Sequence, residues 1–151
     1  MLARQIAEPF PAVTADSDAL EAARLLGERR LPGLIVTDAD GHPRTVLPGS
    51  QVLRFVIPNY VQDDPPLARA YDEASADRLC MTLAGKPVRT LLPRERDRED
   101  LPIVDANATV MEVAAVMARM HSPVVAVVDK DNALVGAITV SRLLDLFLPA
   151  R

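Results

Sequence analysis

Thr139, Ser141 and Arg142 stand together in VGAITVSRLL (Val135 to Leu144), where an apolar, β-branched run hands over to a helix-like one. A hydroxyl at a helix start with a guanidinium one turn on is the chemistry of a phosphate site. The helix's free N–H groups and dipole favour an anion, and arginine pairs with it bidentately. The same residues also have a structural reading, in which Thr139 caps the helix and Arg142 faces water. The sequence pairs no nucleophile with a base, spaces no histidines for a metal and holds no glycine-rich phosphate loop. Binding is therefore expected rather than catalysis.

The elements that must position these residues occur twice. LPGLIVTDADG (Leu31 to Gly41) laid over SPVVAVVDKDN (Ser122 to Asn132) puts Pro32 on Pro123, Val36 on Val127, Asp38 on Asp129 and Asp40 on Asp131. The shift of about 91 positions holds upstream, with Pro11 on Pro102 and Glu21 on Glu112, and downstream, with Ser50 on Ser141 and Leu53 on Leu144. One register kept across a turn, a helix and two strands marks an internal repeat. Each copy reads β-α-β-β-α. A short extended piece precedes a helix with apolar residues at helical spacing: Leu20, Ala23 and Leu26, or Val110, Val113 and Met117. Capping-box patterns open those helices at Asp18–Glu21 and Thr109–Glu112. Two β-branched strands follow across DADG or DKDN, where Gly41 and Asn132 suit a positive φ, and a closing helix ends the copy. Each copy alone is too small for a good core, so the two are expected to pack together.

Between the copies, PPLARAYDEASADRLCMTLAG predicts a helix starting at Pro65 and Pro66 and stopping at Gly85, with Leu67, Tyr71, Leu79 and Leu83 as its buried stripe. VRTLLP before the second copy resembles ARQIAEP before the first. The run RERDRED (Arg94 to Asp100) reads as a solvated loop. Met111, Met117 and Met120 read as core filler.

Composition narrows the function. A net charge of −4 and an aromatic content of 3% argue against a nucleic-acid partner. Cys80, the single cysteine, excludes an internal disulfide and fits a reducing cytosol. No run approaches the roughly 20 apolar residues that span a bilayer. The N-terminal MLARQIAEPFPAV lacks the apolar run of a leader, so a soluble, cytoplasmic protein is expected. The paired carboxylates Asp38 and Asp40, and Asp129 and Asp131, are explained by their hairpin turns rather than by a metal.

The run VVAVVDKDNALVGAITVSRLL passes from apolar strand to acidic turn to apolar strand, then to a glycine, a threonine and a helix. It resembles a cystathionine-β-synthase-type (CBS) domain, and the repeat extends the resemblance to a tandem pair, a Bateman module. The implied fold class is α+β: two β-α-β-β-α CBS repeats packed with pseudo-two-fold symmetry. The first repeat takes residues 1–60, a connecting helical segment 61–87 and the second repeat 88–151. The resemblance implies a non-enzymatic regulatory module. It would bind AMP, ADP or ATP, or a related adenosine compound, in a cleft between the repeats, use no other cofactor, form a homodimer and act on an effector protein such as a transporter or metabolic enzyme. The alternative is a ligand-free dimerisation module, with Phe55, Val56, Leu146 and Phe147 on its interface.

The family's site motif maps onto Gly136, Ala137, Ile138, Thr139, Val140, Ser141 and Arg142. Thr139 matches the hydroxyl that contacts phosphate or ribose. Arg142 stands where the family has an aspartate that grips the ribose, and it moves the expected contact toward phosphate. Val104, Asp105, His121, Ser122 and Pro123 would frame the adenine. In the first copy the counterparts are Pro48, Ser50 and Gln51, framed by Val13, Thr14, Leu31 and Pro32. Pro48 brings neither hydroxyl nor N–H, so the first site is expected to be the weaker.

Overall fold

The computed structural model describes residues 1–98 and 100–151. An N-terminal arm carries α1 (Ala3–Ile6). The first copy runs β1 (Ala12–Thr14), α2 (Ala19–Arg29), β2 (Gly33–Thr37), β3 (Pro43–Pro48) and α3 (Gly49–Val56). Helices α4 (Asn59–Asp63) and α5 (Glu73–Cys80) follow. The second copy runs β4 (Ile103–Asp105), α6 (Val110–Met120), β5 (Val124–Val128), β6 (Leu134–Thr139) and α7 (Val140–Phe147). In each copy the first strand lies parallel to the second and the second antiparallel to the third. The repeat is therefore structural, and its irregularities repeat too. Arg30 and His121 both take the left-handed conformation after their helices, at φ 52°. Both hairpins shift register at equivalent places, Val36/Thr37 and Val127/Val128.

Local chemistry accounts for these elements. The Glu21 N–H donates to the Asp18 carboxylate at 2.9 Å, and the Glu112 N–H to the Thr109 hydroxyl at 3.2 Å, so both predicted caps form. In the hairpins, Asp38 Oδ1 accepts the N–H groups of Asp40 and His42, and Asp129 Oδ1 those of Asp131 and Ala133. Gly41 and Asn132 take the positive φ the turns require. The His42 N–H, ahead of the Arg44 guanidinium, holds the Asp38 carboxyl below its usual pKa.

Strand alternation builds three cores. Leu34, Val36 and Leu47 face α2 and α3, while Val125, Val127 and Ile138 face α6 and α7. The residues between them face the other way: Ile35 and Val46 of one sheet meet Val124, Ala126 and Ala137 of the other, with Leu101. That third cluster joins the copies.

The arms are exchanged. Ala3 and Arg4 donate backbone hydrogen bonds to the carbonyls of Ala108 and Ala106, at 2.7 and 2.9 Å. Val88 and Arg89 do the same to Ser17 and Ala15 of the first copy, at 2.8 and 2.9 Å. Side chains follow suit: Arg4 bonds Asn107, and Arg89 pairs with Asp16. Ala3 and Ile6 thus belong to the second copy's core, and Leu83, Val88 and Leu91 to the first's.

Three expectations are corrected. The connecting segment is not one helix: a 3₁₀ turn over Pro65–Ala70 ends before Asp72, whose carboxylate caps α5 by accepting the Ser75 N–H at 2.8 Å. Consequently Leu67 lies exposed, whereas Leu79 and Leu83 pack on the first core. Met117 is core, but Met111 is 72% exposed. On the closing helices Val56 is buried, and Phe55 and Leu146 pack inward. The exposed apolar residues there are Leu53, Val140, Leu144 and Phe147, with Leu148 just beyond α7.

A Cβ at Gly136 would stand 2.7 Å from the Glu8 carbonyl oxygen and 3.3 Å from Ala7 Cβ, whereas one at Gly27 would meet nothing within 4 Å. Gly136→Ala is expected to cost about 1–3 kcal/mol by crowding the arm. Gly27→Ala, in exposed α2, is expected to gain about 0.5–1 kcal/mol. Denaturant unfolding of both variants checks this, and equal effects would contradict the close approach.

Candidate functional site

At the junction of β6 and α7 the Thr139 hydroxyl accepts the Arg142 N–H at 3.2 Å and lies 3.2 Å from the Ser141 hydroxyl. The capping role is thus realised. A hydroxyl has one proton and two lone pairs, so Thr139 keeps hydrogen-bonding capacity for a ligand. Ala137 faces the other sheet and Ile138 its own helices. Of the two, Ala137 belongs to the buried cluster that joins the copies.

Arg142 is half-buried, and its Nε is shielded from solvent without a hydrogen bond. The carboxylate of Glu8 stands 3.7 Å from that Nε. Glu8 was not anticipated. Its backbone pairs with Ala137 in an antiparallel bridge, at 2.9 and 3.0 Å, which carries it from the far end of the chain to this junction. The sequence signal was the resemblance of the two arm segments, which marks ARQIAEP as an element in its own right.

The framing residues separate. Val104 is buried in the second core and Val13 packs on the first. Asp105 accepts the Asn107 N–H at 2.7 Å, and the Thr14 N–H donates to the Ser17 hydroxyl at 2.9 Å, so both hold turns. His121 closes α6. The Ser122 hydroxyl donates to the Val124 carbonyl at 2.7 Å, and the carbonyls of Pro123 and Pro32 accept the first N–H of α7 and α3. Leu31 lies half-buried against the first core.

In the first copy α3 begins at Gly49, with Pro48 as a cap that makes no side-chain bond, and Ser50 is exposed. Gln51, the counterpart of Arg142, donates to the Leu91 carbonyl at 3.0 Å and so holds the other arm. Pro48 and Gln51 nevertheless border a cleft of about 530 Å³, with Val46, Arg54, Pro93, Arg94 and Asp97. Of RERDRED, Glu99 lies outside the described residues; Arg94 to Asp97 and Asp100 are exposed, as expected of a solvated run, and Arg94 and Asp97 also border this cleft. Arg54 was legible as the residue one turn from Gln51 on the same helix face.

A second concavity, about 620 Å³ and apolar, lies between α6 and α7, lined by Met117, Leu143, Leu144 and Phe147 and reached by His121, Ser122 and Pro123. Its counterpart in the first copy, about 490 Å³, includes Leu31 and is lined also by Cys80 and Leu83 of the connecting segment. In the first hairpin, Asp38, Asp40 and His42 bring ligand-type atoms within 4.8 Å of one another, but Arg44 already pairs with Asp38 at 2.7 Å.

Residues 95–149 match the model of the CBS domain family. Over 97% of both chains the protein is 57% identical, with a TM-score of 0.86, to a CBS domain-containing protein of unknown function from Kribbella flavida. It is 25% identical to the CBS domain of a CBS domain-containing membrane protein from Sphaerobacter thermophilus, covering 98% of this chain and 88% of that one at a TM-score of 0.71. CBSX2, solved in complex with AMP, shares the fold at 17% identity and a TM-score of 0.65, over 96% of this chain and 94% of that one. No curated protein matches the sequence.

Because Thr139 caps α7, Thr139→Ala is expected to lower stability by about 1 kcal/mol, and Thr109→Ala, which uncaps α6, by a similar amount. Thermal unfolding reads both losses; an unchanged melting temperature for Thr139→Ala would remove the cap from the account.

Proposed function

The chain belongs to the CBS-domain family, and from that premise we propose that it is a regulatory module which binds an adenosine-containing ligand, of the AMP, ADP or ATP type, between its copies and modulates a partner protein. The carrying observation is the cleft beside β3 and α3. Its volume of about 530 Å³ lies within the range of small-molecule sites. Val46, Pro48 and Pro93 offer apolar wall for a base, Gln51 an amide, and Arg54 and Arg94 positive charge for phosphate. The two sides of the cleft come from different parts of the chain: β3–α3 of one copy, and the segment that leads into the other. A ligand touching both shifts their relative packing by its differential affinity for the two arrangements. No catalytic step forms part of this reading. Among the described residues no helix is long and apolar enough to cross a membrane.

Calorimetric titration with AMP, ADP and ATP tests it. Binding is expected for at least one, and Arg54→Ala is expected to weaken it about tenfold, the scale of one charge-assisted hydrogen bond. Absence of binding at millimolar concentration, with no shift in melting temperature, overturns the reading.

The apolar groove between α6 and α7 supports a second role, self-association, because Leu144 and Phe147 on its rim are 48% and 45% exposed. Light scattering is expected to report a dimer that Leu144→Glu dissociates. A concentration-independent monomer would end that reading.

A further inference from the structure

We infer that the stretch from α4 to α5 is a ligand-responsive strap: α3 carries the cleft on one face and the strap's far anchor on the other, and Gln62 ties the strap to the end of α3. The coupling rests on the proposed nucleotide binding and names the element that carries its output.

A proline creates the tie. The Arg54 carbonyl, in the last turn of α3, would accept the N–H four residues on, but that residue is Pro58, which has none. The Gln62 side-chain amide takes its place: Nε2 donates to the carbonyl of Arg54 at 3.0 Å and to that of Ile57 at 2.7 Å. Gln62 lies in α4 beside Val61, which is buried and anchors the turn. A side chain of the strap thus satisfies carbonyls at the end of the helix whose other side chains border the cleft.

The faces of α3 are divided. Gln51 and Arg54, three residues apart, border the cleft. Val52 and Val56 belong to the first core, which Leu79 and Leu83 join at the strap's far end. Leu83 and Cys80 also line one concavity with them. The start of α3 is lightly held, since Pro48 caps it without a side-chain bond where Thr139 caps α7 with one. What lies on its two faces therefore fixes α3 more than its own cap does.

Between its anchors the strap stands off the body. Residues 62–70 are exposed throughout, and neither the 3₁₀ turn Pro65–Ala70 nor α5 buries a residue. The hydroxyls of Tyr60 and Tyr71 hydrogen-bond to each other and close the stretch into a loop. A segment with few buried contacts opens at low free-energy cost. A phosphate drawn to Arg54 steadies the last turn of α3, the turn whose carbonyl Gln62 grips. The occupied cleft and the seated strap thus favour each other. By linkage, loosening the strap weakens the ligand by the same factor by which the ligand tightens the strap.

Both tyrosines of the chain lie in the strap and tryptophan is absent, so tyrosine emission reports on this segment alone. Trypsin has exposed sites there at Arg69 and Arg78. The test is calorimetric titration of AMP, ADP and ATP into the full chain, with tyrosine emission and cleavage at Arg69 and Arg78 followed in parallel, for wild type and Gln62→Met. Methionine is similar to glutamine in length and donates no hydrogen bond. In wild type a nucleotide that binds is expected to change tyrosine emission and to slow cleavage about fivefold, the scale of one neutral hydrogen bond. Gln62→Met is expected to be cleaved faster without ligand, to lose the protection and to bind about fivefold more weakly. Binding to wild type that leaves emission and cleavage unchanged, or protection that persists in Gln62→Met, overturns the coupling and leaves nucleotide binding intact. If none of the three compounds binds, the coupling falls with the nucleotide reading.

Discussion

The backbone exchange between the copies is the constraint on which the rest depends. Each β–α turn, at Ala15–Ser17 and at Ala106–Ala108, presents carbonyls that its own copy leaves open, and the arm that precedes the other copy satisfies them. Ile6 and Leu91 then fill the core beneath. Neither sheet of three strands is complete without chain from elsewhere, and the inter-sheet cluster around Ile35, Val124 and Ala126 adds a second shared surface. The two copies are thus tied through both surfaces.

The exchange also shapes the strand-to-helix junctions. Each arm leaves a residue near the closing helix of the copy it reaches into. In one copy that residue is Glu8 opposite Arg142; in the other it is Pro93 near Gln51. Two strand-to-helix junctions built on one repeated plan thus carry different charge through two arm positions and two helix positions.

Most of the local structure was legible. The caps at Asp18 and Thr109, the hairpins at Gly41 and Asn132, and the two-residue alternation of GLIVT and VVAVV depend on neighbours within a few residues. The repeat register was legible for the same reason, since each copy obeys the same local rules. The connecting segment failed where local signals competed: Pro65 and Pro66 open a helical turn, but Asp72 is the better cap, and the helix starts there instead. Met111 failed because helical spacing cannot tell which flank of a helix is covered.

The site divides along the same line. Sequence by itself determined the fold family, the strand-to-helix junction, Thr139 as its cap and the loss of a hydroxyl at Pro48, because these follow from residue type and short spacing. Only the tertiary structure decided that Arg142 faces Glu8, that Gln51 holds the Leu91 carbonyl, and that Arg54 and Arg94 line one cleft. Those contacts join residues far apart in the chain. Their register is set by the exchanged arms and by the packing of two sheets, which no pattern within a single copy encodes.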